Sequence, residues 1–207
     1  APIPITASSY PVPTSPVIRD DLQLVDVAPT AWDALAPGQP LLSHAFLRAL
    51  DQSGCATRAT GWQPRVVTAW EGRELVGALP LYAKAHSCGE YVFDWGWADA
   101  YRRYGRRYYP KLVAAIPFTP VPGPRLLAAT AGVRRALLDR ALAMMAHDAC
   151  SSLHLLFLPD DEALLCTSAG MIARTGIQFH WLNPGYRNFD DFLASFTHDK
   201  RKKIRQE

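Results

Sequence analysis

The most restrictive feature of the sequence is a pair of apolar runs, residues 65–70 and 74–82, joined around Glu71-Gly72. Two such runs on either side of a short turn containing glycine are typical of a β-hairpin. The second run, within LVGALPLYAK, is apolar nearly throughout, as expected for a central strand that is covered on both faces. A fold built on this hairpin therefore needs helices on both sides of its sheet.

Helical periodicity elsewhere in the sequence supplies these covering layers. The clearest pattern begins at Thr130 and places Val133, Leu137 and Met144 on one face. Shorter helices are predicted to begin at residues that suit helix starts: Ser43, Pro159 and Asn188. Further strands are predicted at residues 22–27, 91–93, 125–127, 153–158 and 175–182. This order predicts an α/β or α+β fold, with a three-layer mixed sheet and helices on both faces.

The composition is that of a soluble globular chain, with 49% apolar and 20% charged residues. The net charge of +3 is too small to indicate nucleic acid as a partner by itself. The four cysteines lie far apart without zinc spacing, and no run approaches the ~18 apolar residues of a membrane span. We therefore expect no metal site and no membrane span, and we expect a cytoplasmic protein with reduced thiols.

The two ends of the sequence differ from the rest. Residues 1–17 carry five prolines and no charge, which predicts an extended, disordered tail over residues 1–20. At the other end, the charged segment HDKRKKIRQE has helical composition but no stop signal. We therefore expect the sequence to be a fragment of a longer protein.

Residues 86–127 mix aromatic and ionisable side chains more densely than a core strand or a surface helix does. Three acids, Glu90, Asp94 and Asp99, lie among tyrosines and tryptophans, and desolvation by these rings would raise the pKa of a carboxyl group. A raised carboxyl pKa suits general acid–base catalysis. The alternative is a long connection that is pinned by its aromatic residues and whose acids each pair with a nearby arginine.

A second candidate site is the turn before the helix that begins at Thr130. A strand, a turn of small residues and a helix start with Gly132 and Arg134 bring free N–H groups and positive charge together, which suits a phosphate. A simply capped helix would have the same pattern. The stretch GPRLLAATAGVRRALLDRAL resembles the pyrophosphate-binding region of GNAT-fold acyltransferases, although it lacks the second glycine of that turn. This resemblance implies acyl-CoA as a co-substrate, bound by Thr130, Gly132 and Arg134.

Longer blocks resemble a bacterial group of FemAB-like N-acyltransferases, often described as peptidoglycan biosynthesis or recognition proteins. The blocks are residues 43–54, 77–105, 108–127 and 178–193 and the terminal KRKKIRQE. The resemblance implies two GNAT-like domains in tandem, the first over residues 21–186 and a truncated second one over residues 187–207. It also implies transfer of an acyl or aminoacyl group from acyl-CoA or aminoacyl-tRNA to an amine acceptor such as a cell-wall precursor, without a covalently bound cofactor.

This chemistry requires a group that takes a proton from the amine and a donor to the oxyanion. The residues expected to be catalytic are Glu90, Asp94, Asp99, Tyr101 and Tyr108. Those expected to bind the substrate are His86, Tyr91, Trp97, Arg102, Tyr109, Lys111 and Arg125. A second class of function is a non-catalytic module whose aromatic and acidic groups hold an amino sugar or a peptide. A third, nucleic-acid binding through the basic C-terminal run, lacks aromatic residues on which bases could stack.

Overall fold

The computed structural model describes residues 15–207, and its sheet has six strands. The strands are β1 (Val17–Arg19), β2 (Trp62–Glu71), β3 (Glu74–Lys84), β4 (Lys111–Ala114), β5 (Leu127–Ala128) and β6 (Leu153–Leu155). The helices are α1 (Pro29–Ala34), α2 (His44–Gln52), α3 (Trp95–Arg103), α4 (Ala131–His147), α5 (Asp160–Ser168), α6 (Phe189–Ala194) and α7 (His198–Ile204). Short 3-10 turns lie at Leu24–Asp26 and Pro40–Leu42.

The predicted hairpin forms the centre of the sheet. β2 and β3 pair antiparallel from Trp62, opposite Lys84, to Glu71, opposite Glu74. The strand order is β1-β2-β3-β4-β6, and β5 pairs with β3 at a separate place. β4 and β6 are parallel whereas the other pairs are antiparallel, so the sheet is mixed as predicted.

Helices cover both faces of this sheet. Leu137 of α4 and Val67 of β2 belong to the core on one face. Trp32 of α1 and Val66 of β2 belong to the core on the other face. Because successive strand residues point to opposite faces, the neighbours Val66 and Val67 enter different cores. The predicted fold class, α+β with a mixed sheet between helical layers, is therefore confirmed.

Three predicted helix starts are confirmed by their capping hydrogen bonds. The side chains of Ser43, Thr130 and Asn188 each accept the backbone N–H of the third residue that follows. Such a cap satisfies one of the N–H groups that a helix start leaves without a partner. At Thr130 this fixes the direction in which α4 leaves the sheet.

Three predicted strands are wrong. Residues 22–27 contain a 3-10 turn, which Asp26 closes by accepting the backbone N–H of Gln23 at 2.8 Å. Residues 91–93 are irregular, because Tyr91 adopts a φ of 59° in the left-handed region and interrupts an extended run. Residues 175–182 alternate in polarity, yet they are exposed and form no regular element. A strand depends on neighbours that pair with it and pack on it, which alternation alone does not guarantee.

The described residues divide into two compact units, one that ends at Ile172 and one over Ala173–Glu207. The whole sheet lies in the first unit, whereas α6 and α7 lie in the second. Part of the predicted tail, residues 1–14, lies outside the described residues, and Val17–Arg19 is an edge strand paired with β2. Within residues 15–207 no helix has the length and apolar character needed to cross a membrane.

Candidate functional site

Two strand ends bring lysines together inside the first unit. Lys84 ends β3 and lies directly opposite Lys111, the first residue of β4. Both side chains are fully buried. Buried ammonium groups need carboxylates beside them, since an unpaired charge is strongly disfavoured away from water. The loop between β3 and α3 provides these carboxylates.

Glu90 and Asp94 are the two carboxylates, and both are fully buried as well. The Lys111 Nζ donates to Glu90 Oε2 at 2.7 Å and to Asp94 Oδ2 at 2.5 Å. The Lys84 Nζ lies 3.9 Å from Glu90 Oε1 and donates to the Cys88 carbonyl at 3.1 Å. We call Lys84, Glu90, Asp94 and Lys111 the ion cluster. Its two positive and two negative groups balance each other.

Burial shifts the pKa values within the ion cluster. It raises the pKa of Glu90, although Lys111 and Lys84 partly oppose the rise. Burial also acts to raise the pKa of Asp94, but hydrogen bonds from Lys111 and from two hydroxyl groups outweigh it and leave this pKa below its usual value. Burial lowers the pKa of Lys84 to about 8 against the opposing effect of Glu90. Of the two acids, Glu90 is therefore the one that more readily holds a proton.

Three of the predicted tyrosines lie together next to the ion cluster. Tyr108 is buried, and its hydroxyl donates to Asp94 Oδ2 at 2.7 Å. Burial, reinforced by this hydrogen bond, raises the pKa of Tyr108. The Tyr109 hydroxyl shares a 2.8 Å hydrogen bond with that of Ser87. The rings of Tyr101 and Tyr108 meet edge to face with centroids 5.2 Å apart. Protonated phenols can donate a hydrogen bond but cannot act as bases.

The same segment exposes its other aromatic side chains. We call five of them the aromatic face, with exposures from 49% to 84%: Tyr91, Phe93, Trp95, Trp97 and Tyr104. Asp99 and Arg102 lie on the same helix, α3, are exposed, and pair at 3.0 Å. The expectation that each acid pairs with an arginine thus holds for Asp99, whereas Glu90 and Asp94 pair with lysines.

Two predicted substrate-binding residues, His86 and Arg125, form hydrogen bonds with loop backbone. His86 Nε2 is 3.0 Å from the Thr60 carbonyl oxygen, and its Nδ1 accepts the N–H of Cys88 at 3.2 Å, so the ring proton lies on Nε2. Arg125 is fully buried and donates to three carbonyls of its own loop, residues 121–124. Burial lowers the pKa of Arg125 to about 10. Its guanidinium therefore stabilises the proline-rich loop.

The predicted phosphate turn lies at the N-terminus of α4. Thr130 caps this helix, and the first N–H groups of a helix have no intrahelical acceptor. The space around Gly132 is open, because a Cβ atom placed there would meet no atom within 4 Å. Arg134 is already engaged, since it donates to the Ala128 carbonyl at 2.8 Å and to Asp161 at 2.6 Å. The backbone of this turn suits an anion, whereas the charge of Arg134 is already paired.

Sequence reasoning missed Lys84 and a separate cavity. Lys84 ends an apolar strand, and only the register opposite Lys111 reveals its role. The cavity, of about 290 Å³, lies between α2, β2 and β3, and none of the predicted site residues lines it. Its polar residues come from scattered positions without a motif. In the described part of the chain, no three His, Cys, Asp or Glu side chains are placed to hold a metal ion.

Comparison with known proteins gives a family and several remote structural likenesses. A family model described as FemAB-like, peptidoglycan biosynthesis/recognition, matches residues 23–207. Curated proteins gave no match.

Solved structures similar to the chain share little sequence with it. An acetyltransferase from Trypanosoma brucei is 14% identical with a TM-score of 0.46, over 81% of this chain and 99% of that one. An aminoglycoside antibiotic 6'-N-acetyltransferase from Acinetobacter haemolyticus is 11% identical with a TM-score of 0.45, over 82% and 99%. A transcriptional regulator from Bacillus halodurans is 15% identical with a TM-score of 0.46, over 80% and 99%.

Proposed function

The chain belongs to the FemAB-like family of peptidoglycan biosynthesis/recognition proteins, and we propose that it is an N-acyltransferase. In this reaction the nitrogen of an acceptor amine attacks the carbonyl carbon of an acyl thioester or ester. A C–N bond forms, the bond to the leaving sulfur or oxygen breaks, and the nitrogen gives up a proton. The family match carries the proposal, because residues 23–207 include the ion cluster, the aromatic face and the turn before α4. The proposed acceptor is an amine of a cell-wall precursor.

We place the acceptor on the aromatic face. One short stretch, residues 91–104, exposes all five of these aromatic side chains, and flat rings suit the apolar faces of sugars. Asp99, on α3, is the predicted base that is exposed, so we assign to it the proton of the attacking amine. Arg102 beside it suits a carboxylate or phosphate of the precursor.

We assign positioning roles to the buried acids. Glu90 and Asp94 are closed off from solvent and neutralised by lysines, so neither can contact an acceptor in this structure. Their bonds fix the start of α3 and the Tyr108 side chain relative to β4. The buried cluster thereby holds in place the loop and the helix start that carry the aromatic face.

The turn before α4 is the proposed donor site. Coenzyme A would supply the acyl group as an activated thioester. The free N–H groups at the helix start and the open space at Gly132 suit its pyrophosphate. Arg134 would act indirectly, through its bonds to the Ala128 carbonyl and Asp161, by keeping the turn in shape.

Unfolding measurements with acetyl-CoA test the donor site. A ligand at ~100 times its dissociation constant stabilises the folded state by about 2.7 kcal/mol. Gly132→Asp should abolish this gain, because it adds a carboxylate where the phosphate would bind. The unliganded variant should stay folded, since the space is open and an acid suits a helix N-terminus.

Gly176→Asp is the matched control, because Gly176 also has open space around it and lies outside this turn. Equal stabilisation of the wild type and Gly132→Asp would place the donor elsewhere. A wild type that acetyl-CoA does not stabilise would favour aminoacyl-tRNA as the donor or a protein without catalysis.

A non-catalytic module that binds an amino sugar or a peptide is the second candidate. The observation in its favour is that two of the three predicted bases are buried in ion pairs while the aromatic face is exposed. Turnover of an amine acceptor separates the two functions. If Asp99→Asn leaves turnover unchanged, Asp99 is not the base.

A further inference from the structure

The cavity between α2, β2 and β3 combines apolar walls with a few polar groups. Its volume is about 290 Å³. Leu47 of α2, Val66 of β2 and Pro80 of β3 are among its apolar walls. Small-molecule sites commonly have this composition, with polar groups that fix the ligand in an otherwise apolar hollow.

Tyr82 of β3 lines this cavity with a hydroxyl that has no protein partner. The residue is 5% exposed, and its ring contacts Trp62 edge to face with centroids 5.3 Å apart. Across residues 15–207 its hydroxyl makes no hydrogen bond. Burial, reinforced by Asp51, raises the pKa of Tyr82, so the hydroxyl keeps its proton. The hydroxyl is open to the cavity, so it is free to donate to a molecule bound there.

The charges that line the cavity favour an anion. Three arginines, Arg48, Arg58 and Arg65, line it together with a single acid, Asp51. Arg48 is paired with Asp51 at 2.9 Å, and Arg65 lies 3.8 Å from Asp148. Arg58 is exposed and forms no ion pair within the described residues. A ligand can therefore meet an uncommitted guanidinium without breaking an existing pair.

We propose that this cavity binds a small organic carboxylate that also carries a hydrogen-bond acceptor. Arg58 binds the carboxylate, Tyr82 donates to the acceptor, and the apolar body of the ligand lies against Leu47 and Val66. A planar guanidinium matches the two oxygens of a carboxylate. A single free arginine suits one carboxylate better than a phosphate, which usually collects several donors. The site is separate from the aromatic face and the turn before α4, so it does not depend on the transferase proposal.

Hippurate is a suitable probe because it has a carboxylate, an amide carbonyl and an apolar ring. Ligand-observed NMR titration of the full chain should give saturable binding. Hippuramide, which lacks the charge, should bind about 10-fold more weakly, as should hippurate to Arg58→Gln. Tyr82→Phe should weaken binding about 5-fold, because it removes a hydrogen bond and little else.

Two variants control for charge and for the loss of a phenol. Arg135→Gln removes an exposed arginine of α4 that does not line the cavity, and Tyr186→Phe removes a phenol hydroxyl of the second unit. Both should bind hippurate as the wild type does. Tyr82→Phe should also unfold at the wild-type temperature, because the lost hydroxyl has no protein partner. Absent saturation, equal binding of hippuramide, or undiminished affinity in Arg58→Gln and Tyr82→Phe would each overturn the proposal.

Discussion

The ion cluster and the aromatic face come largely from one stretch of chain, yet they place polarity in opposite ways. Lys84, Glu90, Asp94 and Lys111 are inside, whereas Trp95 and its aromatic neighbours are outside. The four ionised side chains can be buried because each lies beside a group of opposite charge and takes part in a hydrogen bond. The exposed aromatic side chains contribute little apolar burial to folding. The buried region therefore supports the fold, and the exposed one is where we propose that the acceptor binds.

The largest expected effect comes from removing the central lysine. Lys111→Met leaves Glu90 and Asp94 without their shared donor in a buried place. We expect a loss of about 3–5 kcal/mol in the free energy of unfolding, measured by denaturant titration. Lys200→Met, at an exposed position, should change stability by less than about 0.5 kcal/mol. Similar small losses in both variants would contradict a supporting role for the ion cluster.

A smaller effect is expected where the ion cluster meets the tyrosines. Tyr108→Phe removes the hydroxyl that donates to Asp94 at 2.7 Å. Because a buried charged acceptor then loses a donor, unfolding free energy should fall by about 2 kcal/mol. Tyr104→Phe, 84% exposed, is the matched change on the aromatic face and should be neutral. An unchanged unfolding free energy in Tyr108→Phe would mean that this hydroxyl does not stabilise the ion cluster.

The stability of the ion cluster should depend on pH through Lys84. The pKa of Lys84 falls from its ordinary 10.5 to about 8 on folding. Between these values the unfolded chain binds more protons at this residue than the folded chain, so stability rises with pH. The unfolding free energy of the wild type minus that of Lys84→Met should therefore increase from pH 8 to pH 10.5. A difference that is flat or falls across this window would mean that the folded state does not depress this pKa.

The smallest effect on stability is expected on the aromatic face. Trp97→Ala removes a ring that is 55% exposed, so unfolding free energy should change by less than about 0.5 kcal/mol. If this surface holds the acceptor, the KM for the acceptor should rise about 10-fold, as for an aromatic contact at a binding surface. An unchanged KM would mean that Trp97 does not bind the acceptor. A large loss of unfolding free energy would mean that Trp97 stabilises the fold.

Much of the fold could be predicted from local patterns. The hairpin around Glu71-Gly72, the long helix capped by Thr130 and the two covering layers all depend on spacing and turn chemistry. Strands that depend on a partner could not be predicted reliably. Val17–Arg19 is a strand because β2 lies beside it, and residues 175–182 are not one despite their alternation.

The sequence indicated a stretch for the candidate site, but it did not indicate which residues of that stretch are buried and which are exposed. Composition drew attention to residues 86–127, and the structure brings Glu90, Asp94, Tyr108 and Lys111 of that stretch together. It did not reveal which acids are buried, because Lys84 reaches Glu90 only through the register of β3 with β4. The cavity at Tyr82 gave no signal, since its residues share neither a motif nor a period.

A double-mutant cycle of Lys111 and Asp94 tests most directly whether the buried charges stabilise the protein as a pair. Lys111→Met and Asp94→Asn should each destabilise the protein, but the double variant removes both charges of the pair. We predict that the double variant loses about 2 kcal/mol less unfolding free energy than the sum of the two single losses. Losses that add to within about 0.5 kcal/mol would contradict the claim that buried charges support the aromatic face only as a paired set.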